Sequence, residues 1–300
     1  MRKLYIFFFI IICIGIGYSS YFYRYYLFQF LPTTVENEQI KNKNGLLYDE
    51  KGKLFSGRLR NNFDSSFSIY SYNNGELHGL NVIYTNGKIK EIGHWENGKQ
   101  NGLFQLYTEE GILIDNAMFK NGERHGQTEQ FYPNGVKRIS GNFENGKKVG
   151  SWQGFYENGK PYLFEEYKDN KRDGKLQQFY PDGTLQVEEY YKNNQHHGKC
   201  INYFPNGKKS LEGEYVNNMQ NGVWLFYFEN GNKKMEVTYV NNLPQGTRKA
   251  YRVDGSIFYK EEIVNGMPKY YEQYDEQGNL LTPLESAFPE TKEKALKKTQ

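Results

Sequence analysis

Residues 131–150 read FYPNGVKRISGNFENGKKVG, and the chain spells that stretch again, with variations, every 24 residues. With Gly135 as origin, the same position is filled by Gly87, Gly111, Gly159, Gly183, Gly207, Gly231 and Gly255. A second ladder, 15 residues further on, runs Gly102, Gly126, Gly150, Gly174, Gly198, Gly222 and Gly246. A fixed internal period of this size marks a repeat architecture, in which each unit covers the next instead of closing a core of its own.

The columns around those glycines give the secondary structure. The residue before the first glycine is Asn86, Asn134, Asn158, Asp182, Asn206, Asn230 or Asp254, with Glu110 the exception. Asn-Gly and Asp-Gly between apolar flanks are the strongest short hairpin signal, because both residues of such a turn take positive φ. Eleven residues past that glycine stand Gly98, Gly122, Gly146, Asn170, Asn194, Asn218, Asn242 and Gly266. Glycine and asparagine enter the left-handed region most readily, so a second turn belongs there. Two turns per 24 residues leave two strands of roughly six to eight residues and no room for a helix.

Side chains alternate across a strand, so Ile139, Gly141 and Phe143 share one face. The aromatic end of that row recurs as Trp95, Phe119, Phe143, Tyr167, Tyr191, Tyr215 and Tyr239. A doublet such as Phe155-Tyr156 or Phe179-Tyr180 before each first glycine gives both faces a ring. Neighbouring repeats about 10 Å apart then build aromatic ladders across the sheet. The composition agrees: hydrophobic residues are 37% but aromatics alone are 17%, with 27 Tyr and 21 Phe. The expected fold is all-β, an elongated single-layer antiparallel sheet of tandem β-hairpins, plus one amino-terminal transmembrane or signal helix.

That helix is read from the uncharged run Leu4–Tyr23, preceded by Arg2 and Lys3 and followed by Arg24. Twenty such residues can cross a bilayer. The basic residues before them place the rest of the chain outside the cytoplasm. Gly17-Tyr18-Ser19 is a mediocre cleavage site, and the aromatics at 21–26 resemble an interfacial belt, so a retained anchor is favoured over a cleaved signal. If the segment is cut, the array is secreted. The expected organisation is an anchor or signal at 1–30, a linker at 31–45, and a degenerate first repeat with an insertion around Arg58–Ile69 at 46–79. Tandem repeats follow at 80–270, with a terminal cap and tail at 271–300.

The search for chemistry is largely negative. His78, His125 and His197 share a turn column with Val149, which marks a solvated position. His196-His197 with Cys200 matches no closed zinc set, and Cys200 shares its column with Leu176 and Trp152, a packing site. Cys13 and Cys200 read as free thiols. The acids Glu165, Glu166, Glu188, Glu189, Glu212, Glu214 and Glu236 form a band faced by turn lysines and arginines. Cross-strand salt pairs on a solvated face are the expected outcome, since nothing in the sequence buries them. No catalytic, metal or cofactor-binding residue is expected. The 38 Lys and Arg against 35 Asp and Glu leave a net charge of +3, which implies no nucleic-acid partner.

GNFENGKKVGSWQGFYENG (141–159) and GEYVNNMQNGVWLFYFENG (213–231) resemble MORN repeats. Glu165, Glu189 and Val237 stand where glycine usually precedes the aromatic, and the period is 24, so the pattern is most similar to bacterial MORN-variant repeats grouped with YwqK-type antitoxins. The resemblance spans roughly Tyr48 to Gly278 and implies a trough-like sheet that holds partners or membranes. The expected function is a non-enzymatic, membrane-anchored scaffold. It would bind an unknown protein partner, a toxin or an envelope protein, through the face carrying Trp95 to Tyr239. An antitoxin-like immunity role and lipid head-group binding through the turn lysines are the alternatives.

Overall fold

The computed structural model describes residues 35–36 and 39–283. The expected anchor at 4–23, and the tail beyond 283, lie outside the described residues. Among those described, there is no α-helix, and no helix is long and apolar enough to cross a membrane. The described chain is all-β, an antiparallel sheet of tandem hairpins. It divides into two compact units, residues 1–135 and 136–300.

The first unit holds β1 (Val35–Glu36), β2 (Lys41–Lys43), β3 (Leu46–Tyr48), β4 (Gly57–Phe63), β5 (Ser66–Asn73) and β6 (Glu76–Leu77). They are followed by β7 (Gly79–Thr85), β8 (Lys88–Glu96), β9 (Lys99–Tyr107), β10 (Leu113–Lys120) and β11 (Glu123–Phe131). The insertion expected near Arg58–Ile69 is the β4–β5 hairpin, paired from Gly57↔Tyr72 to Phe63↔Ser66. β1 lies parallel to β4, while β2 and β3 form a separate two-stranded ribbon. Ile69, Val82, Tyr84 and Ile92 are fully buried and make this unit's main core.

The second unit is a succession of antiparallel strands. It contains β12 (Lys137–Glu144), β13 (Lys147–Phe155), β14 (Pro161–Lys168), β15 (Lys171–Phe179), β16 (Leu185–Lys192), β17 (Gln195–Tyr203) and β18 (Lys209–Val216). It continues through β19 (Met219–Tyr227), β20 (Lys233–Val240), β21 (Leu243–Tyr251), β22 (Ile257–Val264), β23 (Met267–Tyr274) and β24 (Leu280–Pro283). Each strand pairs with the next in sequence.

The two turns of each repeat differ in kind. In the second, both residues take positive φ, for instance Asn145 (48°) with Gly146 (74°) and Asn217 (52°) with Asn218 (66°). The first turn corrects the expectation for the Asn-Gly dipeptides. Gly87, Gly111, Gly135, Gly159, Gly183, Gly207, Gly231 and Gly255 all have φ between 74° and 94°, but of the residues before them only Asn86 has positive φ. The others close three-residue loops that end on a left-handed glycine. The Gly159 N–H donates to Tyr156 O at 2.9 Å, and the Tyr156 N–H to Lys160 O at 2.8 Å. The preceding side chain is needed as an acceptor instead: Asn158 Oδ1 accepts from the Lys160 N–H at 2.9 Å, and Asp182 Oδ1 from Thr184 at 2.8 Å.

The second glycine ladder sits inside strands, where the register shifts, as between Glu165 and Tyr167 opposite Leu176 and Arg172. Gly174 there has φ +127°, and a Cβ on it would meet Glu166 Oε2 at 2.2 Å. Such bulges bend a strand and add local twist.

Candidate partner-binding face

One face of the second unit is the more buried. A column of period 24 places Trp152, Leu176, Cys200 and Trp224 along it, each nearly inaccessible. The facing column reads Gly141, Glu165, Glu189, Gly213, Val237 and Glu261. Glycine appears where the opposing side chain is an indole: a Cβ on Gly141 would lie 2.2 Å from Trp152 Cδ2, and one on Gly213 2.2 Å from Trp224 Cδ2. Those glycines therefore make room for rings, and the backbone conformation there is open to other residues.

The aromatic row flanks this column. Phe143 packs edge-on to Trp152 at 5.1 Å, and Tyr167 does so from the other side at 6.3 Å. Tyr215 and Tyr239 bracket Trp224 in the same manner, at 5.0 and 6.2 Å. Such edge-to-face pairs add about 0.5–1.5 kcal/mol beyond area burial. In the first unit, Phe119 meets Phe104 edge-on at 5.9 Å, and Trp95 turns its indole nitrogen toward Gly93. All seven residues of the row are half-buried. Each thus spends part of its ring on its own sheet and presents the rest.

A third column inserts cations between the rings. Arg124 lies 5.5 Å from the Phe119 centroid, Lys148 lies 4.3 Å from Trp152 and 4.9 Å from Tyr167, and Arg172 lies 5.4 Å from Tyr191. His196 fills the same position between Tyr191 (4.4 Å) and Tyr215 (5.0 Å). Each of these side chains comes from the start of its strand. Arg124 and His196 reach a ring at the end of the preceding strand across the hairpin turn, while Lys148, Arg172 and His196 also meet Tyr167, Tyr191 and Tyr215 at the end of the following strand.

The acids divide between the faces. Glu188, Glu212 and Glu236, on the opposite face, pair with Lys175, Lys209 and Lys233 at 3.1, 2.6 and 3.1 Å. Glu165 and Glu189 point inward, which corrects the expectation that nothing buries the band. Glu165 is 5% exposed, ion-paired to Arg172 at 2.7 Å and bonded by the Tyr167 hydroxyl at 2.9 Å. Glu189 accepts from the Tyr191 hydroxyl at 3.0 Å, and its other oxygen lies 3.6 Å from Cys200 Sγ. A carboxylate drawn away from water needs such partners, and here they are the tyrosine two residues along the same strand and, for Glu165, Arg172 of the next strand. Glu261 is likewise buried against Arg248. Burial first, then the Glu189 carboxylate, pushes the Cys200 thiol up to about 12. It stays protonated at neutral pH and lacks the thiolate that nucleophilic chemistry requires. Among the described residues, no group of three or more His, Cys, Asp or Glu is disposed to hold a metal.

Past Trp224 the face opens into a groove of about 410 Å³ whose lining includes Phe226, Tyr227, Lys234, Met235, Ala250 and Tyr259. Buried Glu165, half-buried Glu189 and the cation column are what sequence reasoning missed. The signal available was a size correlation at fixed separation: Gly93, Gly141 and Gly213 each precede an aromatic, Phe104, Trp152 or Trp224, by 11 residues.

The model of the MORN repeat variant matches residues 124–145, 148–169, 172–193, 197–217 and 220–241, five tandem repeats covering roughly a third of the chain. Each match ends on the first residue of a two-residue turn. No curated protein sequence matches the chain. Solved structures with some likeness include the crystal structure of TcdB2-TccC3 (10% identity, 76% of this chain, TM-score 0.18). The Photorhabdus luminescens Tc holotoxin pore with mutated TccC3 is similar at 10% identity over 80% of this chain, with a TM-score of 0.19. TcdB2-TccC3-Cdc42 gives 13% identity over 80% of this chain, with a TM-score of 0.20. The chain spans 15–16% of the length of those structures' chains. At such TM-scores the likeness carries no argument.

Proposed function

We propose that this chain is a non-enzymatic MORN-repeat scaffold that binds a protein partner through the ring-and-cation face of its second unit. The carrying observation is the alternation of half-buried rings with Lys148, Arg172 and His196 from β13 to β19. Interface hot spots are rich in Trp, Tyr and Arg held rigid before binding, because rigid aromatics bury area at low entropic cost. The edge-to-face packing and the Tyr–Glu hydrogen bonds supply that rigidity. In the same proposal, residues 4–23 hold the scaffold in a membrane with the array outside the cytoplasm, supported by their apolar length and the preceding Arg2 and Lys3.

A photo-crosslinking residue placed at Tyr215 in the full chain, in intact cells, tests the reading. One discrete crosslinked protein is expected, lost on Arg172→Glu and absent when the crosslinker sits at Ser151 on the opposite face. Equal capture from both faces would end the proposal. Co-expressing the captured protein then distinguishes a toxin, which slows growth only without this chain, from an envelope partner, which does not.

A further inference from the structure

The edge formed by the second turns changes chemistry midway along the second unit. The residue pairs that flank these turns are Glu144↔Lys147, Lys168↔Lys171 and Lys192↔Gln195 in the earlier repeats. In the next three they become Val216↔Met219, Val240↔Leu243 and Val264↔Met267. Val216, Met219, Val240, Leu243 and Met267 are between 37% and 72% exposed. The apolar rungs adjoin, since a Cβ on Gly266 would lie 3.7 Å from Leu243 Cδ2. An exposed apolar run of this kind, rimmed by polar turns, marks an interaction surface.

The strip is also held in step. The Asn218 N–H donates to His196 O at 2.9 Å, while Asn218 Oδ1 accepts from the His196 N–H at 2.7 Å. Asn242 makes the same two bonds to Gln220, at 3.1 and 2.6 Å. The turns spend these backbone groups on one another, so a partner must bring side chains and not a strand edge. Successive rungs are two strands, about 9.5 Å, apart. An α-helix advances about 10.5 Å in seven residues. A helix laid along the edge therefore offers one apolar heptad position to each rung. Beyond the apolar rungs, Lys168, Lys171 and Lys192 are exposed and make no ion pair among the described residues.

We propose that the turn edge of β18–β23 docks an amphipathic α-helix of a partner protein. Apolar residues at heptad spacing lie over Val216–Met267, and carboxylates further along the helix meet Lys168, Lys171 and Lys192. This surface is distinct from the ring face, and its occupancy does not depend on that face binding anything.

The test uses the full chain in phosphatidylcholine vesicles and a labelled synthetic helical peptide of four heptads, with Leu at the heptad positions and Glu in its first two turns. Fluorescence anisotropy is expected to show saturable binding, at least tenfold tighter than for a scrambled peptide of the same composition. Val240→Asp with Leu243→Asp should weaken it at least tenfold, and Lys168→Glu with Lys192→Glu severalfold and salt-dependently. Tyr191→Ala, on the ring face, should leave it unchanged. Leu243→Ser repeats the measurement should the double Asp variant alter the circular dichroism spectrum. Equal binding of the scrambled peptide, or indifference to the edge substitutions, overturns the proposal. So does an edge that instead draws the chain to phosphatidylserine vesicles while the peptide stays free.

Discussion

Gly213→Ala isolates the packing that holds the second unit together. Gly213 is not among the residues with positive φ, so its backbone accepts alanine and any cost comes from the added methyl. That methyl would lie 2.2, 2.4 and 2.7 Å from Cδ2, Cε2 and Cε3 of Trp224. Carbon pairs rest at about 3.5–4.0 Å, so the indole must retreat by more than about 1 Å. Trp224 is 1% exposed and wedged between Tyr215 and Tyr239, which leaves it no free direction. Overpacking costs roughly 1–3 kcal/mol. Disturbing two edge-to-face contacts adds about 1 kcal/mol more. The expected loss is about 2–4 kcal/mol, below the roughly 3–5 kcal/mol of deleting the ring altogether. Urea unfolding of the full chain in detergent, followed by circular dichroism and tryptophan fluorescence, measures it. Adding Trp224→Leu, the residue type at Leu176 in the same column, should recover about 2 kcal/mol relative to the sum of the single changes. A single variant within about 0.5 kcal/mol of the parent, or strict additivity in the pair, would refute the jigsaw account.

Arg172→Ala should cost about 2 kcal/mol, because it strips a buried carboxylate of its charge partner, whereas Glu165→Leu should be nearly neutral by urea titration. Asn242→Ala puts a residue that resists the left-handed region at φ 67° and removes the acceptor for the Gln220 N–H, so about 1–2 kcal/mol is expected, with faster hydrogen exchange at Gln220. Asn242→Gly relieves the backbone cost but loses the same acceptor, so it should recover only part of the stability and leave the Gln220 exchange fast. Stability should also fall at alkaline pH. Burial raises the Tyr84 phenol from 10.0 to about 12 and the Cys200 thiol from 9.0 to about 12. Raised groups contribute fully below their unfolded values, so the loss begins near pH 9–10 and is complete above about 12, followed by tyrosinate absorbance during unfolding. At the acid end, the Glu272 carboxyl is held low by the Tyr274 hydroxyl, and Asp182 and Asp254 by the N–H groups of Thr184 and Ser256. Their contribution is present above the usual carboxylate range and is lost as pH falls through the lowered values, which acid melting curves will show.

Much of the architecture was legible before any coordinates. The 24-residue period, two turns per repeat and the facing of the aromatic row follow from backbone chemistry: positive φ selects Gly and Asn, and strand geometry alternates side chains. The Asn-Gly dipeptides misled because Asn serves two turn types. It enters the left-handed region at Asn145 but stays out of it at Asn158, where its oxygen caps the loop. The buried acids were illegible for a related reason. Glu165 and Glu166 are neighbours of one type, and only the stacked strand reveals that one meets Arg172 while the other faces away.

By itself the sequence determined the local features: where the chain reverses and which residues share a face. The repeat strands run eight or nine residues, at or beyond the top of the expected range of roughly six to eight, because the two-residue turns let pairing continue up to the turn itself. The tertiary structure decided burial. Whether a glycine marks a turn, relieves a bulge or admits an indole depends on what the neighbouring strand places against it. The same holds for a carboxylate, which is solvated or enclosed according to a partner contributed by another strand. Those contacts depend on distances between strands, which no single stretch of chain encodes.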